Sequence, residues 1–286
     1  MQNSLESNSQ TSVARRKKLI VILIAGLLIL LVFIPIATLK PSIGNSEPPT
    51  LVMRVDDVQD FAFREAQLFL LNESVINKVP LSLAVIAGMF GEDKEIVQTA
   101  KHAVSLGSEV TVHGWEHENL AELPFEEQVV LLSQSRSQIK EILDYDVEVL
   151  VPPMFSYNED TVAAMHEEGY TVISTLVEFD EPGSTLEVTS LPATVELSDF
   201  SNGTWNMESS DTIEAEISKS IQEYGFAVIV THPQEFIEDG ELNQGCVELY
   251  RTLIITLKEN YSFKTLEGLS ETSYADKNEG LSCVLR

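Results

Sequence analysis

The chain has 286 residues, 44% of them hydrophobic, and a formal net charge of −27. That apolar share suffices for one large core of roughly 200 to 250 residues, a size at which single α/β or barrel-type domains are common. The carboxylate excess argues against a nucleic-acid partner, whose phosphates are met by Lys and Arg; it fits a solvated surface first, and attraction for metal ions or amine-bearing polymers second.

Residues 1–18 are polar and end in Arg15, Arg16, Lys17 and Lys18, a basic tail. Leu19 to Leu39 are 21 uncharged, mostly apolar residues, long enough as a helix to cross the roughly 30 Å hydrocarbon core. A signal-peptide core is shorter, about 7 to 15 residues. A transmembrane helix over 19–39 is therefore expected. The basic tail places the N-terminus in the cytoplasm, so the chain is expected in the cell membrane as a single-pass protein with its domain outside. Residues 40–49, with three prolines and Gly44, are a linker, and 50–286 form the extracytoplasmic domain. Residues 40–286 carry 14 Lys and Arg against 44 Asp and Glu, so the acidity belongs to that domain. The two cysteines, Cys246 and Cys283, would form one bridge in an oxidising compartment or remain as two buried thiols.

Leu51 to Asp57 is a short apolar strand that ends in two adjacent carboxylates. Val79 to Ile86 is a strand with Pro80 at its start, the position where proline fits. Asp93 to Leu106 is a helix closed by Gly107, Glu109 to Val112 a strand, and Phe125 to Leu143 a helix entered through Pro124. Val147 to Val151 is a strand stopped by Pro152 and Pro153. Asn158 caps a helix running to Glu168, and Tyr170 to Ser174 is the next strand. Residues 180–210 break the rhythm with Pro182, Gly183, Pro192 and Gly203, as a peripheral hairpin or loop excursion would. Trp205 within it either lines a groove or pins the excursion, and pinning is favoured. Phe226 to Thr231 is the strongest late strand, followed by a helix near Glu248 to Lys258 and a strand at Phe263 to Leu266. Repeated strand-helix units of this length argue for an α/β barrel or a doubly wound parallel sheet.

Successive side chains in a strand alternate between its faces, so Asp56 and Asp57 cannot both be ordinary solvent-facing charges. In a parallel sheet the C-terminal strand ends gather on one side, where active sites are built. Three of the five histidines, His113, His117 and His232, follow strands on that side; His102 and His166 fall within helices. The spacing His113-x-x-x-His117 lets two imidazoles reach one ion, from one helical turn or a tight loop, and a carboxylate would complete three protein ligands, the set of an open catalytic site. Glu116 between them reads as solvated.

Arg54, Asp56 and Asp57, then His113 to His117, then Val151 to Asn158, then Val230 to His232 resemble, in that order, four motifs of the polysaccharide deacetylases (the NodB-homology domain, carbohydrate esterase family 4). The resemblance spans residues 50–268. It implies an irregular (β/α) barrel of about seven parallel strands and a hydrolase removing acetyl groups from N-acetylated sugars of an envelope polysaccharide or glycan. It further implies that Asp57, His113 and His117 bind one divalent metal ion, with zinc expected, that Asp56 is the general base for the attacking water, and that His232 is the general acid. Pro153, Phe155 and Tyr157 either border the substrate groove or serve packing alone. Two departures stand out. Val151 occupies the place of the family's arginine, and Arg54, two residues before Asp56 and so on the same strand face, is the candidate to orient the base instead. The family's acidic-plus-Trp motif is not recognisable; Glu178 and Asp180 are the nearest acids, and neither precedes a Trp. A non-catalytic glycan-binding or envelope-assembly protein with the same fold is the alternative function.

Overall fold

The computed structural model describes residues 48–184, 188–201 and 203–272. The basic tail, the expected transmembrane segment 19–39, most of the linker and Cys283 lie outside the described residues. Among the described residues no helix is long and apolar enough to cross a membrane.

In chain order, β1 (Thr50–Val58), α1 (Arg64–Asn77) and β2 (Leu81–Val85) are followed by α2 (Lys94–Ser105), β3 (Glu109–Val112) and α3 (Phe125–Leu143). Then come β4 (Val149–Leu150), α4 (Glu159–Glu168), β5 (Val172–Ile173), β6 (Gly183–Ser184), β7 (Thr189–Ser190) and β8 (Val195–Glu196). A hairpin of β9 (Ser198–Ser201) and β10 (Thr204–Met207) precedes α5 (Ser210–Tyr224) and β11 (Phe226–Thr231). The short pair β12 (Ile237–Glu238) and β13 (Glu241–Leu242), then α6 (Gln244–Asn260) and β14 (Ser262–Lys264), complete the domain.

One sheet organises these elements in the order β6-β7-β5-β4-β3-β2-β1-β11-β8, with β14 pairing the start of β1. Every ladder in it is parallel except β6–β7 at the edge. The architecture is thus a parallel α/β half-barrel, less regular than a ring of seven strands. Its two flanks are linked by the extended passage 191–197. Leu191 N and Ala193 N donate to Ile173 and Thr175 on one flank, while Thr194 N and Leu197 N donate to Val228 and Val230 on the other.

This passage corrects the expectation of a purely peripheral excursion at 180–210. Leu191, Ala193, Val195 and Leu197 are buried, and from Ala193 to Leu197 they alternate with the more open Thr194 and Glu196, the period of a strand. Pro192 is tolerated because the backbone donors used are those of its neighbours. Only the β9–β10 hairpin behaves as the expected excursion.

The two faces of β1 divide the core. Leu51, Met53 and Val55 pack outward in the layer covered by helices. Val52 packs inward with Ala84, Val149, Val151, Val172, Val228 and Val230. By alternation Arg54 and Asp56 follow Val52 on this inner face. The C-terminal segment is tied to β3 by Glu109, whose carboxylate accepts from Leu266 N (2.8 Å) and Glu267 N (3.0 Å).

Two helices are absent from the sequence expectations. α1 begins after Phe63 without a side-chain cap, and its run Leu68 to Leu71 is buried throughout, so it shows neither a start signal nor a one-sided stripe. α5 has a Ser209 cap and buries Ile213 and Ile217 at helical spacing; that signal is readable, but the turn-rich stretch before it obscures it.

Candidate active site

Asp56 and Asp57 reach the same cleft because β1 is irregular there. Val55 pairs with Leu83 and Val58 with Val85, so β1 carries one residue more than β2, a β-bulge. Asp57 has φ 58°, in the left-handed region that non-glycine residues enter rarely. The bulge sets both carboxylates in one cleft of about 160 Å³ with His113, His117, Met154, Phe155, Trp205, His232 and Gln234.

The two histidines come from the loop after β3, not from a helix. Gly114 turns at φ 74°, where a Cβ would lie 2.9 Å from Pro153 Cγ. Glu118 accepts from Trp115 N (2.9 Å) and Glu116 N (2.7 Å) and holds the loop. His113 and His117 each place Nε2 3.2 Å from Asp57 Oδ1. His113 Nδ1 lies 2.7 Å from the Val151 carbonyl; it must donate there, so Nε2 carries a lone pair. That lone pair faces a carboxylate oxygen which is buried and has no hydrogen-bond partner. Acceptors converging in this way need a cation between them. Asp57, His113 and His117 are also the one group of metal-ligating side chains among the described residues whose ligand atoms lie within 4.8 Å of one another, and two imidazoles with one carboxylate suit a divalent transition metal. Burial alone would raise the Asp57 pKa, but the closeness of the His113 and His117 imidazoles and the hydrogen bond from Gln234 hold the carboxyl well below the usual range. Gln234 Nε2, not anticipated from sequence, donates to Asp57 Oδ2 at 2.8 Å.

Asp56 is fully buried, and Arg54 grips it with two parallel bonds, Nε to Oδ1 at 2.8 Å and a terminal nitrogen to Oδ2 at 2.9 Å. The other terminal nitrogen donates to Ser174 Oγ (2.7 Å), Ser174 O (3.1 Å) and Thr175 O (2.9 Å). The guanidinium also lies 5.6 Å from the Phe155 ring centroid. Val151, where an arginine was expected, is buried in the inner apolar cluster. The cation at Asp56 therefore comes from β1 rather than from the segment after β4.

His232, directly after β11, is held by Glu235. Its Nδ1 is 2.8 Å from Glu235 Oε1, while Thr231 Oγ1 donates to Glu235 Oε2 at 2.6 Å. Burial alone would lower the imidazole pKa, but the bond to Glu235 and the charge of Asp56 outweigh it, and the value is pushed up to about 9. The other imidazole nitrogen points to the cleft, 4.0 Å from Asp56 Oδ2. Glu235 is the acid bonded to His232, a partner the sequence had left open; the His-x-x-Glu spacing one turn apart was the available signal. Trp205 stacks on His232 with ring centroids 5.7 Å apart, so it lines the cleft as well as anchoring the hairpin.

The remaining residues divide. Pro153 is buried behind the histidine loop. Phe155 lines the cleft, and Tyr157 lies in a neighbouring cavity, where its hydroxyl donates to Asp180 Oδ2 at 3.1 Å. Asp180 also accepts from Ser190, and it is Glu235, not Asp180 or Glu178, that is bonded to His232. Glu116 is exposed, and His102 and His166 are exposed on α2 and α4.

Residues 44–173 match the polysaccharide deacetylase family. No curated protein is significantly similar to the chain in sequence. Among solved structures, a putative polysaccharide deacetylase from Mycobacterium smegmatis is 17% identical, with a TM-score of 0.62 over 82% of this chain and 93% of that one. A family 4 acetyl xylan esterase from Clostridium thermocellum, in complex with a cobalt ion, is 14% identical, with a TM-score of 0.53 over 76% and 88%. A family 4 pseudoenzyme from Bacillus anthracis is 17% identical, with a TM-score of 0.51 over 77% and 64%. At these identities the likeness is one of fold. The segment that matches the polysaccharide deacetylase family holds the Asp56–Asp57, His113–His117 and Val151–Asn158 motifs, and the fold of the chain is that of the solved family 4 structures.

Proposed function

We propose that the protein is a metal-dependent hydrolase that removes acetyl groups from N-acetylated sugars of an envelope polysaccharide or glycan, held at the cell membrane by residues 19–39 with its domain outside. The observation that carries this reading is the convergence of Asp57, His113 and His117 on one point, flanked by the Arg54–Asp56 and Glu235–His232 pairs in the same cleft. Asp57, His113 and His117 would hold a divalent ion, with zinc the first expectation. Such an ion supplies Lewis-acid polarisation of the acetyl carbonyl and eases deprotonation of water. Asp56, fixed in orientation by Arg54, takes the proton of the attacking water. His232 is charged at neutral pH and delivers a proton to the departing amine nitrogen, which leaves poorly without one. Trp205 and Phe155 shield the cleft.

The test is acetate release from N-acetylated chito-oligosaccharides by the full-length chain in detergent, with and without chelator and in Asp56→Asn. Release that stops with chelator and falls at least about 100-fold in a still metallated Asp56→Asn supports the assignment. A specific observation favours the non-catalytic reading: Asp56 has no solvent exposure and both its oxygens are engaged by Arg54. A metallated chain that binds the oligosaccharides and releases no acetate would establish that alternative.

A further inference from the structure

Trp205 is shared between the cleft and a second, larger cavity of about 430 Å³. Six carboxylates line this cavity, among them Glu178, Glu196, Glu208 and Glu216, against the single cation Lys219. Among the described residues none of the six forms an ion pair. Their oxygens do not converge as the Asp57, His113 and His117 ligands do, so the charge is spread along a wall rather than focused on one ion. Burial first, and then Glu178, push the Glu196 carboxyl up; burial and Glu208 do the same to Glu216. These groups crowd one another.

An independent observation points to a ligand. Ser198, in the same wall, is 4% exposed, and its hydroxyl is buried with no hydrogen-bond partner. Buried polar groups are normally satisfied, and a sugar hydroxyl or amine is a suitable partner. The Phe200 and Trp205 rings, 4.8 Å apart, add an aromatic surface that attracts cations.

We propose that this cavity is a subsite for a sugar bearing a free ammonium, adjacent to the sugar whose acetyl group enters the cleft. The proposal rests on the hydrolase reading, because removing an N-acetyl group leaves an amine that is protonated at neutral pH. The preferred substrate is then a partly deacetylated amino-sugar polymer, in which charged and acetylated sugars adjoin.

The experiment uses the full-length chain and three tetrasaccharides of β-1,4-linked glucosamine: fully acetylated, half acetylated and fully deacetylated. Calorimetry reads binding of the fully deacetylated tetramer at low and high salt, and acetate release gives kcat/KM for the other two. Binding that weakens with salt and becomes about tenfold weaker in Glu196→Gln/Glu216→Gln, as loss of two surface-type charge contacts implies, supports the subsite. So does a higher kcat/KM for the half-acetylated tetramer that the double variant abolishes. Acetate release at equal kcat/KM from both substrates, without binding of the deacetylated tetramer, overturns the subsite and leaves the hydrolase reading intact. Salt-sensitive binding that the double variant weakens, without acetate release, keeps the cavity as an ammonium-binding site but overturns the hydrolase reading and with it the place of the cavity beside a reacting sugar. Binding unchanged in the double variant overturns the subsite.

Discussion

Arg54 carries a full charge into the protein interior, where its carboxylate partner and three oxygens from residues 174 and 175 replace water. Removing one member of a buried pair leaves the other uncompensated, at a cost of about 3 to 5 kcal/mol. Arg54→Ala is expected to lose that much in urea unfolding, and the Arg54→Ala/Asp56→Ala double variant to lose less than the sum of the two single ones. Lysine is a poor substitute, since it has no planar fork for two parallel bonds. Glu235 acts on His232 through its hydrogen bond and its charge. In Glu235→Gln the His232 pKa should drop from about 9 toward its ordinary 6.5. Because the donating form is the protonated one, the alkaline limb of the kcat profile should move to lower pH, and NMR titration of the His232 ring would check the shift without any turnover. An unmoved ring titration would remove Glu235 from this role.

At the scale of elements, the β1 bulge decides the chemistry of two adjacent residues, turning an alternating pair into a convergent one. A different device fixes the C-terminal segment. Glu109 at the start of β3 is completely buried, and burial pushes its carboxyl up to about 7 from 4.5 despite bonds from Ser82, Glu267 and Leu266. The folded state therefore holds a proton that the unfolded chain releases. Its contribution to stability is full below pH 4.5 and is lost as pH rises through about 7, on the order of 3 kcal/mol in all. Glu109→Gln should abolish that part of the pH dependence, seen as a smaller difference between urea midpoints at pH 5 and pH 8. An unaltered difference would mean that Glu109 titrates normally.

For the whole domain, the three proposed ligands come from β1 and from the loop after β3, so an ion bound there would bridge separate parts of the sheet. Binding to the folded state alone stabilises by about 2.7 kcal/mol when the free ion is at 100 times Kd, or roughly 5 to 10 °C in Tm for a domain of this size. Chelation should lower Tm by that amount in the wild type and leave Asp57→Ala unmoved. Equal shifts in both would place the ion elsewhere.

Most strands, the helices α2, α3, α4 and α6, and the carboxylates and imidazoles that converge were legible in the sequence, because periodicity, caps and strand ends are local properties; α1, which lacks a cap and a one-sided stripe, and α5, behind a turn-rich stretch, were not. Asp56, Asp57, His113, His117 and His232 all fall at strand ends that a parallel sheet must gather on one side. Even Glu235 sits three residues from the histidine it holds. The tertiary structure alone decided which distant groups complete the site. Ser174 and Thr175 meet Arg54 across 120 positions of chain, Gln234 reaches Asp57 across 177, and Trp205 swings from a hairpin onto His232. The passage 191–197 joins both flanks of the sheet although Pro192 breaks its pattern. A sequence pattern states which face a side chain occupies; which neighbour meets it there depends on how the curved sheet brings remote segments together.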